Sequence, residues 1–365
     1  MNILSVNNGN SGCDHYRLQV PLGELARHGH EVRLPDPSQG QPLPADLLST
    51  DQDRGMPSDA DLEWADVIVG RMLTCPEIVP HWKRWSAFAP TVYDIDDLVT
   101  QVDPSNPSLV TFSHPGVQDA VREMLQSATA VTTTTETLAG ELRRLGAQVA
   151  VCANRIPDGA LVQQARKPTG RKVRIGWTAS SSHGRDLYDH ASMLRQFLIG
   201  RPGVELVIMG YDYRRMLGED LPNVTHLPWV QPPGYYEAID WDIGIAPLSR
   251  SRFNQSKSPI KAIEYGARGI PTVATAGSAY TGYVRTGETG FLARDSADWL
   301  RALTWLVDDP QLRQEMGSAA LDQAAGMAIS GGWSDWEDAY RAARVKWEVD
   351  RWDRQGLFGS ATIRP

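Results

Sequence analysis

Short apolar or β-branched runs alternate with stretches of helical period along this chain, and they do so in two successive series. In the first series residues 3–6, 31–34, 67–69, 92–95, 131–134 and 149–151 read as strands. In the second, residues 173–177, 204–209, 224–227, 243–246, 272–274 and 291–293 repeat the pattern, with helical periodicity over 187–199 and 298–307. Runs this apolar, separated by helices, predict parallel strands covered on both faces, so each half is expected to be a Rossmann-like, doubly wound α/β domain. The polar stretch from Arg155 to Lys172, with Pro157, Pro168 and Gly170, reads as a hinge linker. The expected organisation is 1–165, a first Rossmann-like domain; 166–330, a second; and 331–365, a terminal helix. Trp336, Tyr340, Ala343 and Trp347 recur there at helical spacing, an aromatic stripe expected to dock back on the first domain rather than at a membrane interface. Two doubly wound halves joined by a hinge place the expected ligand in a cleft, at the carboxyl ends of the strands.

The strongest chemical signal lies at 253–275, FNQSKSPIKAIEYGARGIPTVAT. Ser258 suits an N-cap and Pro259 the first helical position, so a helix is expected to about Arg268, where Gly269 and Pro271 stop it before a strand. Lys257 and Lys261 place two cations beside a helix N-terminus whose N–H groups already favour phosphate. Glu264, one turn beyond Lys261, offers a carboxylate to a diol such as ribose. Phosphate and diol together suggest a nucleotide.

Other motifs are judged against that site. The run 178–186, TASSSHGRD, joins a strand to a helix. Ser181, Ser182 and His183 could wrap a diphosphate while Arg185 adds charge, or the run is an ordinary loop with Asp186 as N-cap. Gly9 and Gly12, after the first strand, let backbone approach a phosphate or simply make a tight turn. Arg17 reaches the same mouth or forms a surface ion pair. Asp94, Asp96 and Asp97, in YDIDD, invite a metal reading, but no second carboxylate group or histidine completes a site. Capping and orientation of an acceptor hydroxyl is the preferred use, with His114 a weaker candidate nearby. There is no Ser-His-Asp order, zinc spacing or Walker A loop, which favours chemistry by positioning and by stabilising a diphosphate leaving group.

Composition narrows the classes. Across 365 residues, 36 Lys and Arg face 44 Asp and Glu, a net charge of −8 that argues against stable nucleic-acid binding. Cys13, Cys75 and Cys152 lack paired spacing, so a reducing, cytoplasmic setting is expected. The N-terminal MNILSVNNGNSG lacks the regions of a signal peptide, and no apolar run reaches membrane-spanning length. Peripheral membrane contact stays open.

With those residues in view, the second half resembles the donor domain of GT-B fold glycosyltransferases, in particular the retaining group called family 4 or glycosyl transferases group 1. The resemblance rests on RIGWTASSSHGRDL at 174–187, LPWVQPPGYYEAIDWDIGIAPL at 227–248, KSPIKAIEYGARGIPTVAT at 257–275, GETGFLA at 287–293 and DDPQLRQEMG at 308–317. GELARHGHEVRL at 23–34 and VTTTTETLAGEL at 131–142 extend it more loosely to the first half, leaving the stretch from Pro35 to about Asp59 without a counterpart.

The resemblance implies retention of configuration, no metal and no cofactor, and a UDP- or GDP-linked sugar as donor. It puts Glu264 where relatives bind the ribose, and Lys257, Ser258 and Lys261 facing sugar and diphosphate. Arg185 falls in the loop that contributes a phosphate-binding cation. Where many relatives carry a first glutamate, eight positions earlier, this chain has Ser256, so Asn254, Gln255 or backbone amides take over sugar recognition. Arg185 and Lys261 are then expected to stabilise the diphosphate, with Asp94, Asp96 or Asp97 holding the acceptor. An epimerase of the same fold and a non-catalytic nucleotide-sugar-binding protein are the alternatives. The acceptor is open among glycan, lipid, protein, small molecule and a modified base in phage DNA.

Overall fold

The computed structural model describes residues 1–6, 11–35, 55–165, 172–218, 220–232 and 234–354. Gly9, most of the stretch without a counterpart (36–54) and the end of the expected linker (166–171) lie outside them. Among the described residues twelve strands form two parallel six-stranded sheets. The first holds β1 (Asn2–Val6), β2 (Glu31–Arg33), β3 (Val67–Arg71), β4 (Thr91–Asp94), β5 (Ala130–Thr133) and β6 (Val149–Val151), in the order β2-β1-β3-β4-β5-β6. The second holds β7 (Val173–Ala179), β8 (Val204–Gly210), β9 (Val224–Leu227), β10 (Ile243–Ala246), β11 (Thr272–Thr275) and β12 (Gly290–Ala293), in the order β12-β11-β10-β7-β8-β9. These are the strands the apolar runs predict. Val67, Ile68 and Val69 show why, since three consecutive side chains of β3 are all buried, as a strand covered on both faces requires.

In each sheet the strand order reverses beside the first strand of its series, at β1/β3 and at β7/β10. The crevices at such points, past the carboxyl ends of the strands, receive ligands in open α/β sheets. At β7/β10 the register pairs Gly176 with Gly244. A Cβ on Gly176 would lie 1.9 Å from the Trp241 ring and one on Gly244 2.2 Å from Tyr265, so both glycines let large rings lie against the strands. The Tyr265 hydroxyl accepts from the Thr178 amide at 3.0 Å and donates to the Ile245 carbonyl, pinning the Ile260–Ala267 helix across the ends of β7 and β10.

The chain forms two compact units: Met1–Thr100, Thr111–Ala153 and Gly332–Pro365 make the first, Gln101–Val110 and Asn154–Gly331 the second. The main run of the second unit thus starts at Asn154, upstream of the expected 165/166 boundary, and Gln101–Val110 joins it from within the first half. The first part of the expected linker is packed, not loose: Ile156 and Ala160 are buried, and the Ile156 amide donates to the Met327 carbonyl at 3.1 Å. The Ser334–Arg354 helix docks on the first unit. Trp336, Tyr340 and Ala343 are buried, Arg17 lies over the Trp336 ring, and Trp347 Nε1 donates to the Ser86 carbonyl at 2.7 Å. No helix among the described residues is long and apolar enough to cross a membrane.

Candidate active site

Two loops meet at the β7/β10 crevice of the second unit. The chain leaves β7 through a turn at Ser181–His183 into the Gly184–Ile199 helix, and leaves β10 through the Arg252–Ser256 helix toward Ile260–Ala267. Asp186 ties them together. One carboxylate oxygen meets His183 Nδ1 at 2.7 Å; the other accepts from the Ser249 amide at 2.7 Å and from Asn254 Nδ2 at 2.9 Å. Burial alone would raise this carboxyl, but the bonds from His183 and Ser249 prevail and hold it below its ordinary value. Asp186 is therefore no helix cap. It is the buried clasp that sets Asn254 and His183 in place, a role that nothing in its neighbours along the chain signals.

His183, 6% exposed, holds Lys261 Nζ at 3.2 Å from its Nε2. Burial first, then the Lys261 and Lys257 charges, push the imidazole down to about 4, against the pull of Asp186. Neutral, and donating from Nδ1 to Asp186, it turns its Nε2 lone pair to the Lys261 ammonium. Because the folded value lies below the ordinary ~6.5 of imidazole, the unfolded chain takes the proton first. The stability tied to a neutral His183 is complete above about pH 6.5 and is lost as pH falls toward about 4. Thermal melts from pH 7 to 4.5 are expected to lose Tm more steeply for wild type than for His183→Gln, a difference on the order of 2–3 kcal/mol across the range; parallel curves would refute it.

The Ile260–Ala267 helix begins one residue later than expected. Pro259, at φ −76° and ψ 29°, is the N-cap, and no side chain caps the helix. Ser258 thus sits one position too far back to cap the first turn, and its buried Oγ has no hydrogen-bond partner. An N-terminus that no side chain caps, a hydroxyl without a partner and the Lys257 and Lys261 cations make a ready phosphate site. The Lys257 ammonium lies 4.4 Å from the Phe253 ring centroid, which holds it beside this turn.

Glu264, on the same helix, is buried and accepts from the Tyr235 hydroxyl at 2.8 Å. Burial and then the Glu264 charge raise the Tyr235 phenol well above its ordinary value, so it stays a donor. Tyr235 packs on the half-exposed Trp229 at 5.1 Å. It belongs to the expected site only by this contact; the YY pair in GYYEA was the available signal. Ser256 is buried with its hydroxyl donating to the Arg252 carbonyl at 2.9 Å, so local backbone engages it. Ser182 Oγ lies 2.8 Å from Ser180 Oγ, and Ser181 is exposed at the turn. Arg185 turns to Asp189 at 2.9 Å and, with Ser249, Arg250, Thr275 and Arg294, lines a cavity of about 550 Å³.

In the first unit the YDIDD carboxylates part company. Asp94 is buried against Arg17, at 2.6 Å from Nη2, and accepts from Thr132 Oγ1 at 2.8 Å. Arg17, fully buried, also donates to the Cys152 carbonyl. It is thus a core ion pair, neither a surface one nor a side chain reaching the mouth. Asp96 meets Arg71 Nη2 at 2.8 Å, and Arg71 Nη1 meets Asp14 at 2.6 Å. Burial would raise the Asp96 carboxyl, but Arg71 and then Arg17 hold it below its ordinary value. Its charge in turn pushes the Cys13 thiol well up. Asp97 is half-buried beside them. Gly12 lies in a first turn closed by the Ser11–Asp14 capping box. His114 caps the Pro115–Ser127 helix, Nδ1 accepting from the Gly116 amide at 3.2 Å.

The fold is the GT-B fold, and residues 184–309 match the family model Glycosyl transferases group 1. That match covers the His183–Lys261 neighbourhood from Gly184 onward. Curated relatives include D-inositol 3-phosphate glycosyltransferases of Arthrobacter sp. (strain FB24), 34% identical over 28% of this chain and 24% of theirs, and of Pseudarthrobacter chlorophenolicus, 31% identical over 40% and 35%. The chain thus spans about a quarter to a third of the length of these relatives. Among solved structures, sucrose-phosphate synthase from Thermosynechococcus elongatus superposes with a TM-score of 0.67 at 15% identity, covering 93% of this chain and 98% of that one. Anabaena HepE in complex with UDP gives 0.65 at 14% identity, covering 94% and 100%.

Proposed function

We propose that this chain is a glycosyltransferase that moves a sugar from a nucleoside-diphosphate sugar to an acceptor hydroxyl with retention of configuration and without a metal. One observation carries the reading: the helix N-terminus at Ile260, uncapped by any side chain, combines the partnerless Ser258 Oγ with Lys257 and Lys261 inside the segment matched to group 1. The diphosphate sits on that N-terminus, and as the sugar–oxygen bond breaks, the charge gathering on it meets Lys261, the helix amides and Ser258. A leaving phosphate oxygen then takes the proton of the acceptor hydroxyl, so no protein nucleophile is needed. Glu264, steadied by Tyr235, faces the ribose, and the UDP held by HepE favours a UDP-linked donor. Within the first unit the half-buried Asp97 is the carboxylate proposed to hold the acceptor, since Asp94 and Asp96 are committed to Arg17 and Arg71.

Thermal-shift screening against UDP-, GDP- and ADP-sugars, followed by nucleotide-release assays with polyol, glycan and lipid acceptors, tests this. A donor at about 100 times its Kd should stabilise the protein by about 2.7 kcal/mol. No shift with any donor and no released nucleotide would overturn the reading.

A further inference from the structure

We infer that His183 is a positioning residue for sugar transfer: a neutral imidazole, locked by Asp186, that aims the Lys261 ammonium without cancelling its charge. The inference rests on the transferase reading for its effect on turnover, though the contact itself does not. The chain of bonds is Asp186 Oδ2 to His183 Nδ1 at 2.7 Å, then His183 Nε2 to Lys261 Nζ at 3.2 Å. Asp186 cannot swing away, because its other oxygen is held by the Ser249 amide and Asn254. The imidazole ring is itself fenced by Trp177, 6.0 Å away and edge-on.

The alternative way to fix a lysine, an adjacent carboxylate, would offset the charge that the diphosphate needs. A neutral acceptor orients the ammonium without itself offsetting the charge. The charged and titratable groups around His183 agree. Asp186 faces Nδ1; Lys261 and Lys257 face it from the loop and helix after β10; Tyr213, from beyond β8, lies against the same turn. Two cations on one side keep the ring neutral, and Asp186 on the other decides which nitrogen carries the proton.

The test is a double-mutant cycle of His183→Phe and Lys261→Ala, read on kcat and KM for the donor and on Tm. His183→Phe keeps a ring and removes both hydrogen bonds. We expect it to lower kcat on the order of 10–100-fold with little change in KM, His183→Gln to recover part of that loss through its carbonyl, and His183→Phe to cost nothing further once Lys261 is Ala. Additive losses, or wild-type turnover in a folded His183→Phe, would overturn the role. Should His183→Phe fail to fold, His183→Gln enters the cycle in its place. The contact is read separately in ligand-free protein by the Lys261 ¹⁵Nζ ammonium resonance. It should be protected from exchange in wild type and broadened in the His183 variant, and an unchanged resonance overturns the contact. A protected resonance in a protein that turns over no nucleotide sugar would fail the transferase reading alone.

Discussion

Lys261→Ala is expected to reduce sugar transfer on the order of 10²–10³-fold, mostly in kcat, while the protein stays folded. In the proposed reaction the ammonium meets the charge that develops on the departing diphosphate, so its loss is felt more in the transition state than in the bound donor. The effect on stability should be small, a relieved repulsion set against the lost bond to His183 Nε2. A cation at a helix N-terminus opposes the helix dipole, so removing it from the Ile260–Ala267 helix relieves a repulsion worth about 0.3–1 kcal/mol. The same substitution removes the second cause of the depressed His183 value, and the imidazole should titrate closer to its ordinary range. Steady-state kinetics, a thermal melt and an NMR titration of the His183 ring check the three parts, and unchanged turnover would sink the assignment of Lys261.

Breaking the Arg17–Asp94 pair is expected to damage the first unit more than any other change described for it. Asp94→Ala takes the paired carboxylate from a fully buried guanidinium, at a cost of about 3–5 kcal/mol. Replacing both partners by apolar residues of similar volume, Arg17→Met with Asp94→Leu, should recover most of that loss. Urea unfolding monitored by tryptophan fluorescence measures both. The comparison also separates two roles of Asp94. A carboxylate that touches the acceptor would lose turnover in Asp94→Asn at unchanged stability, whereas the pairing with Arg17 and Thr132 predicts that stability falls first.

The strands were legible because burial on both faces leaves an unbroken apolar run, as in Val67–Arg71 up to Gly70, and glycine or proline marks where several of the runs stop. The proximity of Lys257, Ser258 and Lys261 to one helix N-terminus is legible because it depends on a local turn. The turn itself was misjudged by one residue, since Pro259 takes the cap position and leaves the Ser258 hydroxyl without a partner. What stayed hidden is whatever depends on pairing across the fold. Arg17 and Asp94 lie 77 positions apart, His183 and Lys261 78, Tyr235 and Glu264 29. No periodicity connects such residues, so a carboxylate committed to a core arginine and one turned toward a ligand look alike in YDIDD.

The return of the Ser334–Arg354 helix to the first unit has a consequence for synthesis. Residues up to Ala153 leave the ribosome lacking Trp336 and Tyr340, which fill part of their core, while the second unit has its complete set once Gly331 emerges. At about 5–20 residues per second, the earlier-made portion waits roughly ten to forty seconds with that apolar surface uncovered. The portion made earlier is therefore finished last.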